Sequence, residues 1–90
     1  MKLDIGKPAL EFVVDLDAKQ FKQVMRKVLM LLTEPRPNDA QKLHGYDNVW
    51  RATIGEYRII YRVDETTVFI DLIGRRNDNE VYRDFDRKSH

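Results

Sequence analysis

The sequence predicts an α+β domain: a small antiparallel β-sheet, made of an N-terminal strand and a three-stranded meander, packed against one long helix, with a short C-terminal helix. Three observations predict it. An apolar period of 3.6 residues runs through part of the first half of the chain, a period of two runs through the second half, and 90 residues hold one core. A single domain spanning residues 1–90 is therefore expected.

The elements follow in order. Ala9-Leu10-Glu11-Phe12-Val13-Val14 is rich in aromatic and β-branched residues and is expected to be a short strand. The clearest helix comes next. Asp17 is a good N-cap, and Gln20 three residues on completes a capping-box pattern. Phe21, Val24, Met25, Val28, Leu29 and Leu32 then recur at helical spacing, mostly separated by Lys19, Lys22, Gln23, Arg26 and Lys27, so this stripe is expected to be core. Pro35 ends the helix, because the residue before a proline is pushed out of the helical region. Pro37-Asn38-Asp39 makes a loop that Leu43-His44-Gly45 closes.

Val49 to Ile54, Tyr57 to Val63 and Thr67 to Ile73 are three β-rich runs. Gly55-Glu56 and Asp64-Glu65-Thr66 are short enough to make them an antiparallel meander. In the middle run, alternation sends Tyr57, Ile59, Tyr61 and Val63 to one face and Arg58, Ile60 and Arg62 to the other. Asn77 to Arg87 is expected to be a short helix, with Asn77 as cap, Glu80 as its box partner, and Val81 and Phe85 four apart on one face.

Composition narrows the function classes. Hydrophobic residues are 42% and charged residues 34%, the balance of a folded chain rather than a disordered one. The longest apolar run, Val28 to Leu32, is far below the ~20 residues of a bilayer span. The first residues carry no apolar signal region, so a cytoplasmic location without membrane attachment is expected. With no cysteine and only His44 and His90, no metal-ligand spacing exists, and neither metal nor cofactor is expected. Ser89 is the sole serine, and four scattered glycines form no phosphate loop.

The net charge of +1 hides an arrangement. Seven of the eight basic residues after position 45 are arginine, whereas those before it are mostly lysine. Arginine meets phosphate with a flat two-point fork that lysine lacks. Any nucleic-acid binding must then come from a local patch rather than from bulk charge. The candidates are Arg51 and Arg58 on adjacent strands, Arg75 and Arg76 after the last strand, and Tyr82 and Arg83 in the tail.

Two segments carry a likeness to known proteins. Gly55-Glu56-Tyr57-Arg58-Ile59-Ile60-Tyr61, followed by Gly74-Arg75-Arg76-Asn77-Asp78-Asn79-Glu80-Val81-Tyr82-Arg83, resembles the RelE/ParE toxin superfamily and most closely its RelE branch. Leu43-x-Gly45 before the meander also matches, and the resemblance covers roughly residues 9–87. It implies the toxin of a toxin–antitoxin pair that cuts messenger RNA in the ribosomal decoding site, without metal, by attack of a ribose 2′-hydroxyl on the adjacent phosphate. By motif position, Arg58 is the phosphate-stabilising strand arginine. Arg76 is the tail arginine of charge stabilisation or proton donation, and Tyr82 the tyrosine that orients base and ribose. Arg51, Arg75 and Arg83 are the implied RNA contacts. The implied partners are the ribosome, mRNA and a cognate antitoxin encoded nearby, the last forming a hetero-oligomer.

The chain departs from the best-studied pattern in places. The positions compared with its two alternating strand lysines are Val49 and Arg51, and Gln41 replaces a glutamate used by another branch. No residue is an obvious general base, so positioning by the ribosome is expected to carry much of the rate. Other readings compete residue by residue. Arg62 is expected to pair with Asp71 or Glu56, and Arg75-Arg76 on its own would be a solvated turn. Tyr82 would serve equally as a core anchor, His44 as a surface residue, and Trp50, Tyr57 and Tyr61 as core or rim aromatics. Two rival functions remain: a ParE-type non-enzymatic toxin inhibiting DNA gyrase, and an inactive antitoxin-binding relative.

Overall fold

The computed structural model describes residues 1–76 of the chain. Its order is β1 (Lys2–Ile5), α1 (Lys7–Val14), α2 (Ala18–Thr33), β2 (Gln41–Lys42), β3 (Trp50–Ile54), β4 (Tyr57–Val63) and β5 (Thr67–Arg75). The five strands form one sheet ordered β1-β5-β4-β3-β2, in which β1 runs parallel to β5 and the other pairs are antiparallel. The α+β class and the meander are as expected. The expected tail helix, Tyr82 and Arg83 lie outside the described residues.

The segment Ala9–Val14 is a correction: it is helix α1, not a strand. Pro8 stands in the first turn, where its missing N–H costs nothing. Ala9 and Val13, four apart, are fully buried, and Phe12 and Leu16 pack against the same cluster. That spacing suits a helix lying on the sheet, and tertiary burial overrides the β-propensity of Phe12-Val13-Val14. The N-terminal strand is instead Lys2–Ile5, whose partners Thr67–Ile70 lie some 65 positions later in the chain.

Helix α2 begins where expected, with the Gln20 N–H donating to Asp17 Oδ1 at 2.9 Å. Its buried face is Val24, Val28 and Leu31, each contributing about 1.5–3 kcal/mol of burial. The expected stripe is therefore rotated: Leu31 is core, while Phe21 and Leu29 are 40% and 52% exposed. The inner face of the sheet meets α1 and α2 through Ala52, Tyr57, Ile59, Tyr61, Val63, Val68, Ile70 and Ile73.

Two local devices set the registers. Gly55 takes φ +56° as the first residue of a two-residue hairpin loop, and a Cβ there would sit 2.7 Å from Gln23 Nε2. In β5 the pairing jumps from Ile60↔Leu72 to Tyr61↔Ile70, leaving Asp71 as the extra residue of a β-bulge. The bulge delivers the nearly buried Asp71 carboxylate to Arg62, whose Nε and Nη2 donate at 2.7 and 3.1 Å.

Candidate functional site

The outer face of the sheet, opposite α1 and α2, gathers the strand arginines. The β3–β4 register sets Arg51 opposite Ile60 and Arg58 opposite Thr53. With two-residue alternation, Arg51, Thr53, Arg58 and Ile60 share this face, and Arg51 and Arg58 are diagonal neighbours about 7–8 Å apart along the backbone. On its other side Arg58 faces Gly74, which presents no side chain to crowd the guanidinium. Arg51 is oriented from the sheet edge by the Gln41 side-chain oxygen, which accepts from its Nη2.

An apolar floor lies beside these cations. Val49, Ile60 and Leu72 are buried, with Leu43 and Tyr46 packed against them. Beyond the floor, Arg62 is committed to Asp71 and stacks over the Phe69 ring at 4.7 Å. The Asp71 hydrogen bonds raise the pKa of Arg62 further above its already high ordinary value. Arg62 is thus a structural cation, as its expected pairing with Asp71 indicated.

The end of β5 separates Arg75 from Arg76. Arg75 lies over the Tyr57 ring at 5.7 Å and approaches Glu56 at 3.5 Å, so it belongs to the helix-side face. The Arg76 N–H donates to the Glu56 carbonyl at 2.6 Å, extending the ladder by one rung past the exposed Arg75. Arg76 lies in the turn beyond β5, where it lines a hollow together with Gly55, Glu56 and Arg75. The structure so brings Arg51 and Arg58 together on one face, and sets Arg75 and Arg76 around a separate hollow beside the β3–β4 hairpin.

The sequence comparison passed over one residue. Val49 is 6% exposed in the floor, whereas Thr53 alternates with Arg51 on the open face. Strand alternation alone pairs Thr53 with Arg51 on that face. Next to this face, Lys42 to Asp47 line a hollow of about 520 Å³ that includes His44 and Tyr46, and Gly45 takes φ +88° there. Among the described residues no group of histidines and carboxylates has metal-site geometry. No described helix is long and apolar enough to cross a membrane.

Such a face suits a polyanion. Two permanently charged forks lie beside an apolar shelf, and both can hold phosphate oxygens without proton transfer.

Comparison with known proteins identifies the family and the fold. The family model of the ParE toxin of type II toxin–antitoxin systems matches residues 3–80. A protein assigned as toxin RelE1 of Methanocaldococcus jannaschii is 33% identical, over 82% of this chain and 88% of that protein. Among solved structures, an arginine-to-alanine double mutant of E. coli RelE in the free state superposes with a TM-score of 0.80 at 25% identity, covering 97% of this chain and 95% of that one. RelE in the archaeal RelE–RelB complex of Pyrococcus horikoshii gives 0.74 at 25% identity, over 84% and 94%. A family model spanning most of the chain, a relative at one-third identity and this shared fold lead to one conclusion: the chain belongs to the ParE toxin family of type II toxin–antitoxin systems, as a RelE-like member.

Proposed function

We propose that this toxin is a metal-independent endoribonuclease that cleaves messenger RNA on the ribosome. The observation that carries the reading is the diagonal pair Arg51–Arg58 on the sheet face opposite α1 and α2, with Arg76 following the end of β5. In the reaction a ribose 2′-oxygen attacks the adjacent phosphorus, the bond to the 5′-oxygen breaks, and a 2′,3′-cyclic phosphate and a 5′-hydroxyl result. Arg58 and Arg51 offset the charge on the non-bridging oxygens of the phosphorane. Arg76 serves the leaving oxygen, and Tyr82 orients the base and ribose. Arg75 and Arg83 hold flanking phosphates, with Arg75 reaching from the neighbouring side of the β5 end.

The arginines supply charge, and no residue of the sequence stands out as a general base. The ribosome therefore completes the site by holding the 2′-hydroxyl in line with phosphorus, a contribution that effective molarity makes large. The partner in the resting cell is an antitoxin. RelE of P. horikoshii and RelE of E. coli have both been solved with RelB antitoxins. A small antitoxin encoded beside this chain would form a hetero-oligomer with it in the cytoplasm.

Induction in a bacterial host, with transcriptome-wide mapping of new RNA 5′ ends, tests the proposal. Cuts phased to codons within translated messages are expected. Gyrase-linked DNA breaks with intact messages would instead assign the gyrase-inhibiting activity. Intact messages and unbroken DNA would leave an inactive binding partner.

A further inference from the structure

We infer that the hollow at the β2–β3 turn is a nucleobase pocket that takes a guanine flanking the cleaved bond, and so gives the cleavage its base preference. The inference deepens the endoribonuclease reading and rests on it for the source of the base, the messenger strand.

The pocket stands on a fixed loop. Lys42, Leu43, His44, Gly45, Tyr46 and Asp47 line about 520 Å³, within the range of small-ligand sites. The Leu43 N–H donates to the Val49 carbonyl at 2.8 Å, and the Tyr46 N–H to the Leu43 carbonyl at 3.4 Å. Asn48 Nδ2 donates to the Val63 carbonyl at 2.6 Å and anchors the loop to the end of β4. Gly45 makes the turn at φ +88°, and no atom lies within 4 Å of where its Cβ would stand, so the hollow is open there.

Its floor continues into the arginine face. Leu43 and Tyr46 pack against Val49, Ile60 and Leu72, and Ile60 lies directly opposite Arg51. Opposite residues of a ladder have Cβ atoms about 4.5–5.5 Å apart. An apolar platform thus adjoins a guanidinium fork. A nucleotide has the same two parts, a flat ring joined through ribose to an anion. Tyr46 is half-buried, so the floor backs it while part of it remains open to stacking.

Charge selects the ring over the phosphate. Lys42 and Asp47 oppose each other in sign around the hollow, and both are exposed, as is His44. The Asp47 carboxylate repels phosphate but accepts from the N–H groups of a base, and the Lys42 ammonium donates to a base carbonyl. Guanine offers both features on one edge: two parallel donors at N1 and N2, which suit a carboxylate, and the O6 acceptor beside them. Uracil sets two carbonyls around a single N–H, adenine has no carbonyl, and cytosine has one amino donor.

The test exchanges guanine for uracil on either side of the cut in ribosome-bound messages of otherwise fixed sequence. In parallel the full chain is titrated with labelled single-stranded RNA carrying the same exchange. Wild type is expected to cut faster beside guanine and to bind the guanine RNA more tightly, each by about 5- to 150-fold. Asp47→Asn, at an exposed position, should keep its melting temperature and cut both messages at similar rates. Tyr46→Ala should lower kcat/KM and RNA affinity by about 5- to 150-fold, and Tyr46→Phe, which keeps the stacking ring, should restore both. Should Tyr46→Ala unfold the chain, Asp47→Asn carries the test alone. Cleavage phased to codons but indifferent to the flanking base upholds the nuclease reading and refutes the pocket. Loss of ribosome association in these variants with base preference intact assigns the loop to ribosomal RNA and also refutes it. A wild-type chain that prefers guanine RNA through Tyr46 and Asp47, yet cuts no message, refutes the nuclease reading and leaves the pocket standing. Neither cleavage nor base preference in binding refutes both.

Discussion

Removing one oxygen from Tyr61 should destabilise the domain at neutral pH and make it less sensitive to alkali. Tyr61 is fully buried in β4, and its hydroxyl donates to the Pro35 carbonyl at 2.6 Å. That bond ties the exit of α2 to the centre of the sheet across 26 positions of sequence. Tyr61→Phe keeps the ring and strands a carbonyl, which costs about 1–2 kcal/mol once the lost bond and the unsatisfied acceptor are weighed together. In a domain of this size each kcal/mol moves the melting temperature by about 4–8 °C. The shift should therefore be about 5–15 °C. The pH dependence follows from the same burial. Desolvation pushes the Tyr61 phenol from 10.0 up to about 12, although the Arg36 charge pulls it the other way. Between those values the unfolded chain binds fewer protons than the folded one, so stability falls as pH rises. At about 1.36 kcal/mol per unit, two units cost the wild type up to about 2.7 kcal/mol, a loss the phenylalanine variant does not share. The wild-type advantage is whole below pH 10 and should vanish or reverse by about pH 12. Urea melts of both proteins at pH 7 and at alkaline pH would measure it. A gap that is absent at pH 7, or unchanged from pH 7 to the alkaline limit, would refute the reasoning.

Other outcomes are expected from the site and the turns. Arg58→Ala or Arg76→Ala should relieve growth arrest with little change in melting temperature, since a charged donor at a developing phosphorane is worth roughly 10²–10³ in rate; full toxicity in a folded variant would remove that arginine from the mechanism. The purified chain without ribosomes should cut a short single-stranded RNA poorly, and fast cleavage in plain buffer would show that the site is complete by itself. In the β4–β5 turn, Asp64 accepts from the Thr66 and Thr67 N–H groups at 2.8 and 2.7 Å, which holds its carboxyl below the ordinary value of 3.8. Its contribution is present above that pH and is lost as the pH falls through the lowered value, so Asp64→Ala should be less stable than wild type at neutral pH and approach it in strong acid melts.

Local chemistry made much of this domain legible. Asp17, Gln20 and Pro35 bracket α2 because caps and prolines act on their immediate neighbours, and Gly55-Glu56 sets a hairpin for the same reason. The alternation of Tyr57 to Val63 placed Arg58 and Ile60 on one face and the aromatic core on the other, since pleating obeys a period of two. The two arginine motifs were likewise readable as words in order, and the family followed from them. Tertiary structure decided the rest. Ala9–Val14 has strand-like composition, yet its burial at positions 9 and 13 exists only once the sheet is there to be covered. Lys2–Ile5 became a strand through pairing with Thr67–Ile70, a contact no local window contains. The rotation of α2, which buries Leu31 and exposes Phe21 and Leu29, depends on where the helix rests on the sheet. The bulge at Asp71 committed Arg62 to an ion pair, and the end of β5 set Arg75 and Arg76 around a hollow with Glu56. Sequence by itself determined which residues could act; the register of neighbouring strands determined which of them meet, because register is a long-range property of the ladder.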